Sequence, residues 1–202
     1  MLGCIKRSGG TAELRLEKSD RMEKSDAKAK TDLCPTLEGE RTILHPLRAE
    51  HADALFPILN DPELSRYTPQ PRWSTLDELR DRYARLESRR GDDGLEHWLN
   101  WAIEEKTTGR IVGFVQATAQ GDLSSASIAY VFGRAFWGRG LASDAVGTML
   151  AHLKAIEIRT TLATVDLNNH RSVRLLERFR FRASDTSDPA SARYVASTSE
   201  TD

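Results

Sequence analysis

Two short stretches of this chain combine residue types that could do chemistry at a spacing that makes it feasible. The first is Phe136-Trp137-Gly138-Arg139-Gly140-Leu141-Ala142-Ser143. Two glycines two apart let a backbone approach a ligand closely and turn its N–H groups outward. If a helix begins there, its free amides and positive dipole end favour a phosphate or pyrophosphate, and hence a nucleotide-containing cofactor. The second is Asn169-His170-Arg171-Ser172, where an asparagine able to cap a helix precedes a hydroxyl. A Gly-x-Gly by itself is often no more than a tight turn. This one also lacks the third glycine and acidic partner of a dinucleotide fingerprint, and the Gly-Lys-Ser/Thr ending of a P-loop.

The elements around these stretches support the phosphate reading. Residues 126–132 read as a mostly buried strand leading into the first stretch. After it, Leu141, Ala142, Ala145, Val146, Met149, Leu150 and Leu153 recur at helical spacing. A strand over 160–165 leads into the second stretch, and Val173, Leu175, Leu176 and Phe179 then mark an amphipathic helix. Upstream, the pattern predicts a strand at 42–46 and a helix over 50–60. Ser74 and Thr75 with Asp77 and Glu78 resemble a capping box opening a helix that carries Leu76, Leu79, Tyr83 and Leu86. Strands at 98–104 and 111–118 flank the turn Thr107-Thr108-Gly109-Arg110. A hairpin meander followed by β-α-β-α requires a mixed sheet with helices on its faces.

Taken together, the two stretches resemble the GNAT superfamily of acyl-CoA N-acyltransferases. Trp137-Gly138-Arg139-Gly140-Leu141-Ala142 matches its pyrophosphate loop, and Asn169 to Phe181 matches its Asn-x-x-Ser…Leu-Leu-Glu-Lys-x-Gly-Phe helix. Thr36 to Leu47 looks like the first strand of the branch containing ribosomal-protein N-acetyltransferases, so the resemblance spans roughly 36–182. It implies an α+β fold: a central mixed, mostly antiparallel twisted sheet with helices on both faces and two splayed strands forming a CoA cleft. It implies direct transfer of an acetyl group from acetyl-CoA to a primary amine, either a protein N-terminus or a small molecule. The pyrophosphate would rest on Trp137, Gly138, Arg139, Gly140, Leu141, Ala142 and Ser143. The pantetheine arm would align along Tyr130, Val131 and Phe132 as an added strand does, with Asn169 hydrogen-bonding the cofactor. Ser172 would protonate the leaving thiolate, directly or through water.

The chain departs from the family pattern at four places. Trp137 replaces a Gln or Arg, Arg180 a Gly, Leu176 a frequent tyrosine acid, and Ser127 a Glu often proposed as base. Ser127 and Trp137 together open an alternative, a non-catalytic acyl-CoA-binding or regulatory module on the same fold. Glu104, Glu105, Asp166 and His97 are the remaining candidates for a base, with none singled out. An α-amino acceptor has a pKa near 8 and needs no specific base. Trp98 and Trp101, three apart on a strand, point to opposite faces and divide between core and cleft. Trp73 and Tyr67 flank a semi-rigid Pro69/Pro71 loop that could shape the amine site.

Composition bounds the rest. The chain has 202 residues and a formal net charge of −1. That is enough for one domain with a proper core and no field for a polyanion, so nucleic-acid binding is not expected. Cys4 and Cys34 form neither a disulfide framework nor a metal spacing, and no metal is expected. No run reaches the ~18 apolar residues of a membrane span. The first residues lack an apolar signal core, which makes a soluble cytoplasmic monomer or homodimer the expectation. Residues 1–35 interleave Lys, Glu, Asp, Ser and Ala, and are expected to be a disordered extension of a single 36–202 domain. In the tail from Ala183 onward, only 193–196 reads as a strand.

Overall fold

The computed structural model describes residues 32–66, 73–91, 93–188 and 190–197, and a compact unit begins at Cys34. Most of the expected extension, residues 1–31, and the expected Tyr67, Pro69 and Pro71 of the amine-site loop lie outside the described residues. Cys34 and Pro35 are already packed. The Cys34 thiol donates to the Asn100 carbonyl at 3.4 Å, and the Trp101 indole to the Pro35 carbonyl at 2.7 Å.

Eight strands make one sheet: β1 (Leu37–Glu38), β2 (Thr42–Pro46), β3 (Glu96–Glu105), β4 (Arg110–Gln120), β5 (Ser125–Phe132), β6 (Thr160–Asp166), β7 (Arg182–Asp185) and β8 (Ser191–Ser197). Their order is β1-β2-β3-β4-β5-β6-β8-β7. Every neighbouring pair is antiparallel except β5 and β6, which run parallel. Four helices accompany them: α1 (Ala52–Leu59), entered through a 3₁₀ turn at Ala49–His51, α2 (Leu76–Leu86), α3 (Leu141–Ala155) and α4 (His170–Arg178). This is the mixed, mostly antiparallel α+β architecture expected from the sequence. The one element absent from that expectation is β7. It is exposed at every position and so shows no apolar alternation, and it is held as an edge strand by pairing with β8.

The helices cover both faces. On one, α1 and α2 bury Leu55, Leu79 and Tyr83 in a cluster with Ala102, Phe114 and Val131 of β3, β4 and β5. On the other, α3 buries Val146, Met149 and Leu153, and the Trp101 ring meets His152 edge-on at 5.8 Å. Trp101 is fully buried, whereas half-buried Trp98 lies under the Arg82 guanidinium of α2 on the opposite face. Strand alternation therefore separates the two tryptophans as expected, but each packs against a helix and neither lines the cleft that was expected to take one of them. At the start of α2, Thr75 accepts from the Glu78 N–H while Glu78 reaches back, the capping box read from sequence. The hairpin turn closes with Gly109 at φ +66°, where its N–H donates to Glu105 at 2.9 Å.

The start of α3 is fixed to the sheet edge by one carboxylate. Asp144 accepts from the N–H groups of Glu40, Arg41 and Thr42 at 2.9–3.0 Å and from the Thr42 hydroxyl at 2.6 Å. Gly39 makes room for it, since a Cβ there would run into the Asp144 carboxylate and come within 2.7 Å of the Thr148 hydroxyl. Partial burial pushes the Asp144 carboxyl up, but the donors from Thr42, Arg41 and Glu40 outweigh it and hold the carboxyl below its ordinary value. A depressed folded value stabilises above the unfolded pKa of about 3.9, and this stabilisation is lost as pH falls through the lower folded one. Asp144→Ala is therefore expected to lower stability at pH 7 by about 2 kcal/mol. The gap from wild type should narrow below about pH 4. Urea titrations at pH 7 and pH 3 check both, and an equal gap at the two pH values would refute the assignment.

Candidate functional site

The parallel pair β5–β6 opens a cleft in the sheet. Their register runs Ser125↔Thr160, Ala126↔Thr161 and Ser127↔Leu162 and then stops. Each strand continues on its outer side, β5 with β4 as far as Phe132 and β6 with β8 as far as Asp166. Residues 128–132 thus face a gap on the β6 side. Gly113 on β4 allows the curvature, because a Cβ there would collide with the Val131 carbonyl.

A cavity of about 510 Å³ occupies this gap. Its lining includes Tyr130, Val131 and Phe132 of β5, then Trp137, Gly138, Gly140, Leu141, Ala142 and Ser143, and across from them Asn169 and Ser172. Apart from Arg139, every site residue expected from the sequence is therefore brought to one cavity. The Arg139 side chain turns away and forms an ion pair with Glu105, which is buried and also accepts from the Thr108 hydroxyl at 2.8 Å.

The loop has the backbone of an anion cradle. Gly138 and Gly140 sit at φ +73° and +79°, a region that side-chain-bearing residues rarely adopt. Gly140 is the N-cap residue of α3 and offers no side-chain cap. Among the described residues, the N–H groups of 138–143 have no carbonyl partner, and the first amide to be engaged is that of Asp144, with Gly140. By contrast, α2 and α4 are capped by Thr75 and by Asn169, whose side chain accepts from the Ser172 N–H at 3.2 Å. Of these three helix starts, the one facing the cavity keeps its donors free, while α1 is entered through the 3₁₀ turn at Ala49–His51.

Side chains from both walls span the gap. The Tyr130 hydroxyl donates to the Ser172 carbonyl at 3.4 Å, and burial pushes it up to about 12, so it stays protonated at neutral pH. The Trp137 indole donates to the Phe132 carbonyl at 2.8 Å, and the Arg171 guanidinium lies 4.5 Å from its ring centre. Arg178 donates to the Ser143 hydroxyl at 3.3 Å. Near Gly147 of α3, an added Cβ would lie 3.2 Å from the Phe179 ring, so the two helices pack closely there. Arg171, Arg174 and Arg178 also line the cavity. These three were not singled out from the sequence, although their i, i+3, i+7 spacing on an otherwise amphipathic helix was the signal.

The candidate bases are engaged elsewhere or stand apart. Glu104 pairs with His45 at 3.0 Å, Glu105 with Arg139, and Asp166 accepts from the Asn168 N–H at 2.8 Å. None of these, nor His97, lines the cavity. Ser127, at the position of the family's glutamate, is exposed on β5. Trp73 packs against the α1–α2 core and exchanges hydrogen bonds with Asn60. Among the described residues there is no cluster of three or more His, Cys, Asp or Glu that could hold a metal. No helix among them is long and apolar enough to cross a membrane.

Comparison with known proteins agrees with this geometry. Residues 41–182 match the family model described as the acetyltransferase (GNAT) domain, so the chain belongs to the GNAT acetyltransferases and is an acyltransferase of that family. A relative from Bacillus licheniformis, the uncharacterized N-acetyltransferase p20, is 28% identical over 150 residues, covering 73% of this chain and 82% of its own. Mycobacterium smegmatis RimJ, solved with CoA-disulfide, superposes with a TM-score of 0.69 at 22% identity, covering 80% of this chain and 87% of that one. The structure of RimL, the ribosomal L7/L12 alpha-N-protein acetyltransferase, in complex with coenzyme A gives 0.68 at 16% identity, covering 80% and 97%. At such identities the two structures attest the fold.

The Arg139–Glu105 pair ties the loop to the sheet, and its test is a mutant cycle. Arg139→Met leaves a buried carboxylate without its cation and is expected to cost about 2 kcal/mol, less than a fully buried pair because the guanidinium is half-exposed. Adding Glu105→Gln should recover much of that loss. Urea denaturation of the two single variants and the double measures the coupling, and strict additivity would show that the pair holds nothing.

Proposed function

We propose that this protein transfers an acetyl group from acetyl-CoA to a primary α-amine, by direct attack of the amine on the thioester. Bound acetyl-CoA would supply the activated acetyl group. The residues present fit it: the unpartnered N–H groups of 138–143 suit a pyrophosphate, and the open side of Tyr130–Phe132 suits the amides of a pantetheine arm. Ser172, on the opposite wall with its N–H capped by Asn169, is the hydroxyl that would deliver a proton to the departing sulfur, directly or through water. Tyr130, kept protonated, orients that wall through the Ser172 carbonyl.

The observation that favours an α-amine is that, among the described residues, no carboxylate or histidine lines the cavity. At pH 7.5 about a quarter of an α-amine of pKa near 8 is already neutral, against about 0.1% of a lysine of pKa 10.4. A site without a base can use the first and hardly the second. The alpha-N-protein acetyltransferase named among the structural neighbours accords with such an acceptor. Small molecules bearing an α-amine remain in the same class.

Calorimetric titration of acetyl-CoA into wild type and Gly140→Trp tests the cofactor. Saturable binding is expected in wild type and none in the variant, with its circular dichroism unchanged. No heat and no thermal shift in wild type would refute the reading. Release of free thiol with peptide N-termini, small α-amines and lysine side chains tests the acceptor. Rates should rise with pH along the amine's own titration near 8. Ser172→Ala should lower kcat by about 10²-fold with little change in KM. A lysine acceptor faster than every α-amine would overturn the assignment.

A further inference from the structure

The cavity's outer wall carries more positive charge than a pyrophosphate on backbone amides requires. Arg171, Arg174 and Arg178 lie on one face of α4 and all line the cavity, and no acidic residue among the described residues joins them there. Arg171 rests on the Trp137 ring, and Arg178 is hydrogen-bonded to Ser143 in the first turn of α3. Both are thereby held toward the loop. Arg174, between them, forms no ion pair among the described residues. The acids nearest the loop are committed outside the cavity, Asp144 to the β1–β2 turn and Glu105 to Arg139. Three guanidinium groups on one wall therefore lack a counter-charge, and their planar forks match phosphate oxygens.

Resting on the acyl-CoA reading above, we propose that the α4 arginine row binds a phosphate monoester, the ribose 3′-phosphate of CoA, and so makes the protein discriminate CoA from its 3′-dephospho form. The loop amides suit the pyrophosphate, whose two charges are already met by the α3 start. A monoester carries close to two further negative charges at neutral pH and is the only other strongly anionic group on the cofactor. Arg174, free of other partners, is the residue whose loss should matter most.

The test is calorimetric titration of CoA and 3′-dephospho-CoA into wild type, Arg174→Ala, Arg174→Lys, the triple alanine variant of 171, 174 and 178, and Arg182→Ala on exposed β7 as a control. Wild type should bind CoA tighter than dephospho-CoA by at least about tenfold. Arg174→Ala should weaken CoA and leave dephospho-CoA unchanged, Arg174→Lys should retain part of the preference, and Arg182→Ala all of it. The preference should also shrink as salt is raised. Equal affinities for the two ligands in wild type would overturn the proposal while leaving acyl-CoA binding intact. A preference that persists in Arg174→Ala and in a triple variant melting like wild type would overturn it as well. Failure of both ligands to bind folded wild type would remove it together with the reading on which it rests.

Discussion

The site depends on a break in strand pairing. Beyond Ser127 and Leu162, β5 and β6 no longer share hydrogen bonds, yet neither strand ends there. Each keeps an antiparallel partner on its far side, β4 for one and β8 for the other, so each retains a full ladder along one edge. Buried backbone polar groups must be paired with something. A gap of this kind persists where the unpaired edge meets side chains, water or a ligand. Here the Trp137 indole donates to the Phe132 carbonyl on the same wall, and the Tyr130 hydroxyl bridges to the Ser172 carbonyl on the other. The remainder of the opened edge is left for a chain-like ligand with its own amides.

The loop is braced from behind, and this lets its front stay uncapped. Asp144 gathers donors from the β1–β2 turn, Arg139 reaches back to buried Glu105, and Arg41 donates to the Arg139 carbonyl at 3.2 Å. An ordinary helix start relieves its free amides with a Ser, Thr or Asn side chain, as α2 and α4 do. Had α3 done the same, the cap would occupy the place of an anion. With its positive-φ glycine in the N-cap position, α3 relies on the bracing for order and keeps the amides for the ligand.

Most of this was legible in the sequence wherever local rules and the fold point the same way. The strand–glycine loop–helix join, the Thr75–Glu78 capping box, the Asn169 cap and the Gly109 hairpin turn each rest on residues within a few positions of one another. Pairs distant in the chain were not legible. Nothing near Glu105 marks Arg139 as its partner, and nothing near Trp137 announces Arg171. Such pairs follow from sheet order, which the sequence yields only through the family resemblance. Strand β7 was missed for another reason, since an edge strand exposed on both faces carries no alternation. Glu104 and Glu105 illustrate the same limit. Adjacent on a strand, they face opposite sides of the sheet, and each meets a partner contributed by a distant element, Glu104 the His45 ring and Glu105 the Arg139 guanidinium.

The distribution of charge follows from these commitments. Glu105 is held by Arg139 and Asp144 by the β1–β2 turn, so both carboxylates that brace the loop are engaged behind it and neither lines the cavity. What faces the cavity is a set of neutral donors on one wall and guanidinium groups on the other. A cavity wall carrying such guanidinium groups favours a polyanionic ligand. Under the proposed function, the phosphates of a bound cofactor would offset these guanidinium groups, so the acceptor's own pKa rather than the field of the cavity would set how much of it is neutral.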